Sequence, residues 1–172
     1  MTTRSEIVIQ DACILFDLVD LNLLDGFFQL DLIVFTTPQV IAEVTDDKQW
    51  NKVNPYIENE KLRIDGHGTF ESIAEIDDAN PGLSFADSSV IESAMRNNAV
   101  VLSSDGSLRK ISQANGLTVH GLIWIVEQIF ECGIMSANHA TQTLNHYLTI
   151  NKRAPKKEVE ELLRRIDYKT LL

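Results

Sequence analysis

Four acidic residues stand where an apolar segment of the chain gives way to, or borders, a polar one. Asp11 follows Ile7–Val8–Ile9, Glu43 lies within Val40–Val44, Asp87 opens the helical stretch LSFADSSVIESA, and Asp105 follows Ala99–Leu102. Each has an ordinary explanation on its own. Ser84 and Asp87 form a capping-box pair that starts a helix, and Asp105 belongs to a Ser–Ser–Asp–Gly turn. Gathered in one cleft, they would not be ordinary. Two unit charges about 4 Å apart repel by about 1 kcal/mol in water and about 4 kcal/mol at an effective dielectric near 20. Four together need protonation or a neutralising cation. A set of oxygen donors suits Mg2+ or Mn2+, whereas zinc prefers His or Cys. Such an ion draws a phosphate in and lowers the pKa of a bound water, so that in-line attack on a phosphodiester is the natural chemistry.

The elements that must position these acids alternate between strand and helix. Ile7–Ile9 predicts a strand. The apolar run from Cys13 to Leu24 is too long for one and predicts a single buried helix closing near Asp25–Gly26. Leu32–Phe35 predicts a second strand, followed by Thr37 as N-cap and Pro38 at the first helical position. Trp50, Val53, Tyr56 and Ile57 fall at helical spacing interrupted by Pro55, and Lys61–Ile64 reads as an edge-like strand. Residues 69–82 read as a helix broken at Asn80–Pro81–Gly82. Val100–Leu102 predicts a short, fully buried strand, and Leu117–Val119 another. Helices follow from Leu122, from Ser136 and from Pro155, the last with Val159, Leu162, Leu163 and Ile166 at i, i+3, i+4 and i+7.

This alternation predicts an α/β fold with a mainly parallel sheet and right-handed crossovers. In such sheets the loops after the carboxyl ends of the strands share one edge, where ligands bind. If the first strand and Val100–Leu102 are parallel neighbours, Asp11 and Asp105 meet. Glu43 and Asp87, near the starts of helices on the same edge, then point into the same cleft. One domain over residues 1–135, with a helical extension over 136–172 packed on it, accounts for the whole pattern.

Composition narrows the partners. The formal net charge is −10, which does not attract a polyanion by its overall field. Residues 152–172 run the other way, with seven Lys or Arg against four acids. A nucleic acid therefore needs the basic tail, bound metal ions or a partner surface to offset repulsion. No apolar run approaches the roughly 20 residues that span a bilayer, and the N-terminus MTTRSEIVIQD lacks the pattern of a signal peptide. Cys13 and Cys132 read as two buried thiols of a reducing compartment. The expectation is a cytoplasmic protein with no membrane contact.

The segments IVIQDACIL, TTPQVIAEV, LSFADSSVIESA and VVLSSDGSL, in this order and at these separations, resemble the PIN-domain family of metal-dependent nucleases over roughly Ile7 to Ile129. The resemblance implies a three-layer α/β/α sandwich that holds Mg2+ or Mn2+ and cleaves single-stranded RNA. It assigns Asp11, Glu43, Asp87 and Asp105 as the catalytic, metal-binding acids and Ser103 as a supporting donor or ligand. A common subgroup consists of toxins neutralised by a small antitoxin, typically as homodimers. The chain departs from relatives at Gly106–Ser107, where another acid often stands; this bears on a second metal. The basic extension lies outside the family core and could pack on the domain, mediate a dimer or hold substrate. The alternative is a PIN-like module that binds RNA or protein without turnover. A phosphoacceptor domain would need two adjacent acids near the first strand and a Lys after the last, and the sequence has neither.

The remaining polar residues read more plainly. Glu92, Asp17, Asp20 and Asp25 are expected to be solvated or capping. His67, His120, His139 and His146 form no i, i+4 pair and have no nearby Cys partner, so they are not expected to bind metal. Trp50, Tyr56 and Trp124 are expected to pack in the core, and Arg109–Lys110 to lie on a solvated face.

Overall fold

In the computed structural model, which describes residues 6–171, five short strands form one sheet. They are β1 (Glu6–Gln10), β2 (Leu32–Thr36), β3 (Leu62–Ile64), β4 (Val100–Leu102) and β5 (Val119–His120), in the order β3-β2-β1-β4-β5, every pair parallel. The period of two sorts their side chains between faces. Val8, Val34, Val100 and Leu102 face one helical layer, and Ile9 and Val101 face the other.

Among the described residues, ten helices make up those layers and the connections. The first layer contains α1 (Ala12–Asp20), α2 (Leu24–Phe27), α4 (Asp47–Glu58), α8 (Leu122–Glu131), α9 (Ala137–Ile150) and α10 (Lys156–Thr170). The second is built on α6 (Phe85–Asn97), with α3 (Pro38–Ile41), α5 (Phe70–Ala79) and α7 (Gly106–Ala114) beside it. The result is a three-layer α/β/α fold. Helices α9 and α10 pack on α8, and their Leu144, Tyr147, Val159, Leu162 and Ile166 join the same apolar cluster as Val8 and Leu102.

The strand order positions the site. From β1 the chain moves outward through β2 and β3, then returns to place β4 on the other side of β1 and β5 beyond it. The direction of winding reverses between β1 and β4, and in open α/β sheets the crevice at such a reversal takes the ligand.

Three details differ from the sequence pattern. The apolar run after Cys13 is two helices rather than one: Asn22 takes a left-handed conformation at φ 55°, which Asn tolerates better than most residues, and it divides α1 from α2. Helix α3 is a single turn, so Glu43 lies beyond its end. Both cysteines are exposed. Cys13 sits on the side of α1 opposite the buried Ile14, Leu15 and Leu18, and Cys132 is the C-cap of α8. The reading of the N-terminal stretch rests in part on residues 1–5, which lie outside the described residues. Among the described residues no helix is long and apolar enough to cross a membrane.

Candidate active site

The sheet register brings Asp11 to Asp105 through one hydroxyl. Asp11 is the first residue past β1, and its N–H donates to the carbonyl of Leu102 at the end of β4 (3.1 Å). Its Oδ1 caps α1 by accepting the N–H of Ile14 at 2.8 Å. Its Oδ2 accepts the hydroxyl of Ser103, and Ser103 Oγ in turn accepts the N–H of Asp105 at 3.0 Å. Asp105 caps α7 through the N–H of Leu108 at 2.9 Å. Asp11 and Ser103 are buried at 1 % and 0 % exposure, while Asp105 is half-buried at the mouth.

Asp87 and Glu43 approach from the other helical layer. Ser84 and Asp87 form the expected capping box at the start of α6, with Asp87 Oδ2 accepting the N–H of Ser84 at 3.2 Å. The hydroxyls of Thr37 and Ser89 lie 2.7 Å apart and tie the start of α3 to α6. This holds the segment carrying the exposed Glu43 beside the helix carrying Asp87.

The four acids sense one another electrostatically. Burial pushes the Asp11 carboxyl up to about 7 against the opposing bonds from Ile14 and Ser103, and the charges of Asp87 and Asp105 push in the same direction. Glu43 is also raised, by partial desolvation first and then by the charge of Asp87. Through these pairings, Asp105 with Asp11, Asp11 with Asp87 and Asp87 with Glu43, the four acids form an electrostatically linked row. As their side chains stand, no three His, Cys, Asp or Glu among the described residues form a group able to hold a metal ion. The carboxylates of Asp11, Asp87 and Asp105 each spend an oxygen on a helix N-terminus instead.

A PIN-domain family model matches residues 7–168, from β1 through α10. The chain belongs to the PIN-domain family. PIN domains are typically nucleases and generally use divalent metals. Among solved structures, PAE2754 from Pyrobaculum aerophilum is similar to this PIN domain at TM-score 0.52 and 14 % identity, over 72 % of this chain and 89 % of that one. A domain of a functionally unknown protein from Methanocaldococcus jannaschii gives TM-score 0.48 and 18 % identity, over 69 % and 91 % of the two chains. A PilT N-terminus domain protein, SSO1118 from Sulfolobus solfataricus, gives 0.43 and 12 %, over 73 % and 92 %. A comparison with curated proteins gave no match.

The donor chemistry of this PIN domain fits the ion its family uses. The row offers only oxygen donors, which suits a hard divalent cation. Its central carboxyl is buried among like charges and is held in a partly protonated state that a cation would relieve.

Two groups fall outside the sequence expectation. Asp17, expected to be solvated, is half-buried and lines a cleft together with Asp105. Burial and nearby Asp20 push its carboxyl up to about 6, against a lowering contribution from Ser104. Cys13 and Asp17 are four apart and share a face of α1; that spacing is the signal in the sequence. Desolvation first, and then the charges of Asp11 and Asp105, push the Cys13 thiol up to about 12, which makes it a poor nucleophile.

Glu92, expected on the surface, is buried at 9 % exposure. It pairs with Arg96 at 3.0 Å, and Arg96 reaches Asp65 at 2.7 Å. Asp65 also accepts from Ser93 at 2.5 Å and Asn97 at 3.0 Å. Burial acts to raise its carboxyl, but the bonds from Arg96 and Ser93 outweigh it and hold it at about 2. This cluster fastens the loop after β3 to α6, the helix that presents Asp87. The Glu92–Arg96 pair at i, i+4 was its visible part in the sequence.

Proposed function

We propose that this PIN domain is a Mg2+- or Mn2+-dependent endoribonuclease that hydrolyses phosphodiester bonds of single-stranded RNA. The observation that carries the reading is the buried Asp11, joined through Ser103 to Asp105 at the point where the winding of the sheet reverses. Asp11, Glu43, Asp87 and Asp105 would hold the ion, and Ser103 would keep Asp11 and Asp105 in register. A bound divalent ion supplies charge neutralisation at the phosphate and an acidified water. The protein's own part is to hold the acids at one edge, keep Asp11 away from bulk water and fix its carboxylate by two hydrogen bonds. Purified protein should cut single-stranded RNA only when Mg2+ or Mn2+ is present, and Asp11→Asn or Asp105→Asn should abolish cutting. Undiminished cleavage by both variants rejects the reading.

Within the same proposal the protein is a cytoplasmic toxin, acts as a homodimer and is neutralised by a small antitoxin. Growth arrest on expression, relieved by a co-expressed small neighbouring protein, tests the pairing, and light scattering tests the dimer.

One observation favours a second reading, a module that binds RNA or protein without turnover. Three of the four acids are engaged in capping, and as placed they do not form a ready metal group. Calorimetric titration with Mn2+ separates the two: the nuclease takes up the ion in the absence of RNA, and the module does not.

A further inference from the structure

Beside Asp105 the acid row opens into a cleft of about 730 Å³, walled on the far side by α9 and α10. Its size falls in the range of ligand sites, roughly 300–1,000 Å³. We infer that this cleft is a nucleotide subsite: a base of the bound strand stacks on the His120–Trp124 pair, and the adjoining phosphate is met by Arg109 and Arg153. The inference rests on the ribonuclease reading for the identity of the strand.

The aromatic pair is built as a platform. His120 ends β5 at the same sheet edge as the acids, and Trp124 lies in the first turns of α8. Their ring centroids are 4.3 Å apart and their planes differ by 5°, a flat stack. Both are half-buried on the cleft wall rather than sealed in the core. Burial lowers the His120 pKa, which disfavours the charged form of the ring. Every nucleobase has a π face, so such a platform binds single strands with little regard to sequence.

The cations are placed to receive a phosphate. Arg109 gives one N–H of Nη1 to the carbonyl of Ser103 at 2.8 Å, which anchors its guanidinium next to the acid row and leaves other donors without a partner among the described residues. Gly121 makes room for it: a Cβ there would lie 3.0 Å from Nη1 of Arg109. Arg153, in the turn between α9 and α10, is exposed and makes no ion pair among the described residues. Arg165 is already committed to Glu127 at 2.6 Å. Asp17, Glu127, Glu158 and Glu161 also line the cleft and repel a backbone, so a phosphate is received where Arg109 on one wall and Arg153 on the other offset them. The helical extension thereby gains a part in holding substrate.

The test measures binding separately from cleavage. Full-length protein carrying Asp11→Asn, which removes cutting, is titrated into fluorescently labelled single-stranded RNA and followed by anisotropy. On that background Trp124→Leu and Arg153→Ala each weaken binding roughly tenfold, while Trp124→Phe, which keeps a ring, weakens it much less. Arg153→Ala also flattens the dependence of log affinity on log salt by about 0.7, the loss of one phosphate contact on a single strand. Should Trp124→Leu fail to fold by its melting curve, Arg153→Ala and Arg109→Gln carry the test. Unchanged RNA affinity in folded variants overturns the subsite, as does a cleft that captures a protein segment while RNA binding stays the same. Wild-type cleavage is scored independently. Absent cleavage with these binding losses keeps the subsite and rejects the nuclease; cleavage with unchanged binding does the reverse.

Discussion

The Ser103 hydroxyl donates to the Asp11 carboxylate across the seam between β4 and β1, and it accepts the N–H of Asp105 at 3.0 Å. One small side chain thereby fixes the relative position of two acids that lie 94 positions apart. Ser103→Ala leaves an oxygen of a fully buried carboxylate without its donor, a loss of roughly 1–3 kcal/mol of stability. Cleavage should fall with it. Ser103→Thr keeps the hydroxyl and should restore most of the activity. Urea unfolding and single-turnover cleavage measure the two effects; an Ala variant with wild-type values in both would refute the role.

The metal-free protein should become less stable as pH rises through the weakly acidic range. Unfolded, Asp11 titrates near 3.8; folded, it is pushed up to about 7. Between these values the folded chain keeps a proton that the unfolded chain has released, so stability declines as pH climbs from about 4 to about 7. The gap corresponds to a few kcal/mol at most, at about 1.4 kcal/mol per unit. Asp17, raised to about 6, adds in the same direction over a narrower span. Asp11→Asn should flatten the curve, and added Mn2+ should restore stability most strongly at the alkaline end, where it no longer competes with the proton. Denaturant unfolding at several pH values decides it; a wild-type stability that rises from about pH 4 to about pH 7 would contradict the assignment.

Arg96 should matter for folding more than its exposed position suggests. It neutralises Asp65, whose side chain is 3 % exposed, together with the largely buried Glu92. Arg96→Met leaves both without their cation, a loss of roughly 3–5 kcal/mol. Asp65→Asn in the same chain should recover part of it. The wild-type cluster also sets an acid limit. The Asp65 carboxyl falls from 3.8 to about 2 on folding, so its contribution is complete above about 4 and is lost as pH drops toward 2. Thermal melts of the single and double variants test the coupling. Equal melting points for Arg96→Met and wild type would show that the cluster contributes nothing.

The meeting of Asp11 and Asp105 was legible in the sequence because each follows a short buried run, and a parallel sheet brings all its strand ends to one edge. The capping box of Ser84 and Asp87 was legible because it is local. Asp17 was hidden by the reading of α1 and α2 as one helix buried all round; the left-handed turn at Asn22 and the open face at Cys13 and Asp17 break that uniformity. The Asp65–Arg96 bond spans 31 positions and depends on how the loop after β3 meets α6, which no periodicity encodes. Trp124 at helical spacing beside Ile125 and Val126 does look like core. Only the placement of β5 next to β4 shows that its ring faces a cleft.

Gln10 offers a test of how tightly the region behind Asp11 is built. It is fully buried at the end of β1, and neither its Nε2 nor its Oε1 has a hydrogen-bond partner among the described residues. An unpaired buried amide costs roughly 1–3 kcal/mol. Gln10→Met, close in shape and apolar, should therefore raise the unfolding free energy by up to that amount without disturbing β1. A clear fall on calorimetric melting would instead assign the amide a structural partner.

The four acids should not respond equally to neutralisation, because burial and capping differ among them. Asn caps helices as well as Asp does, so Asp11→Asn and Asp105→Asn keep α1 and α7 capped while removing one charge each. Both should fold and lose cleavage by a hundredfold or more, since several kcal/mol of charge stabilisation disappear. Asp87→Ala combines a functional loss with a capping loss of up to about 1 kcal/mol, because the reciprocal bond to the Ser84 N–H disappears. Glu43 is exposed and caps nothing. Glu43→Gln should leave the melting temperature unchanged and act through the ion, raising the Mn2+ concentration needed for half-maximal cleavage about ten- to a hundredfold. The diagnostic is the order of effects: rate for Asp11 and Asp105, rate with stability for Asp87, metal dependence alone for Glu43. If Glu43→Gln matched Asp11→Asn in rate at saturating Mn2+, the graded row would be wrong, and the acids would act as one tightly closed cluster.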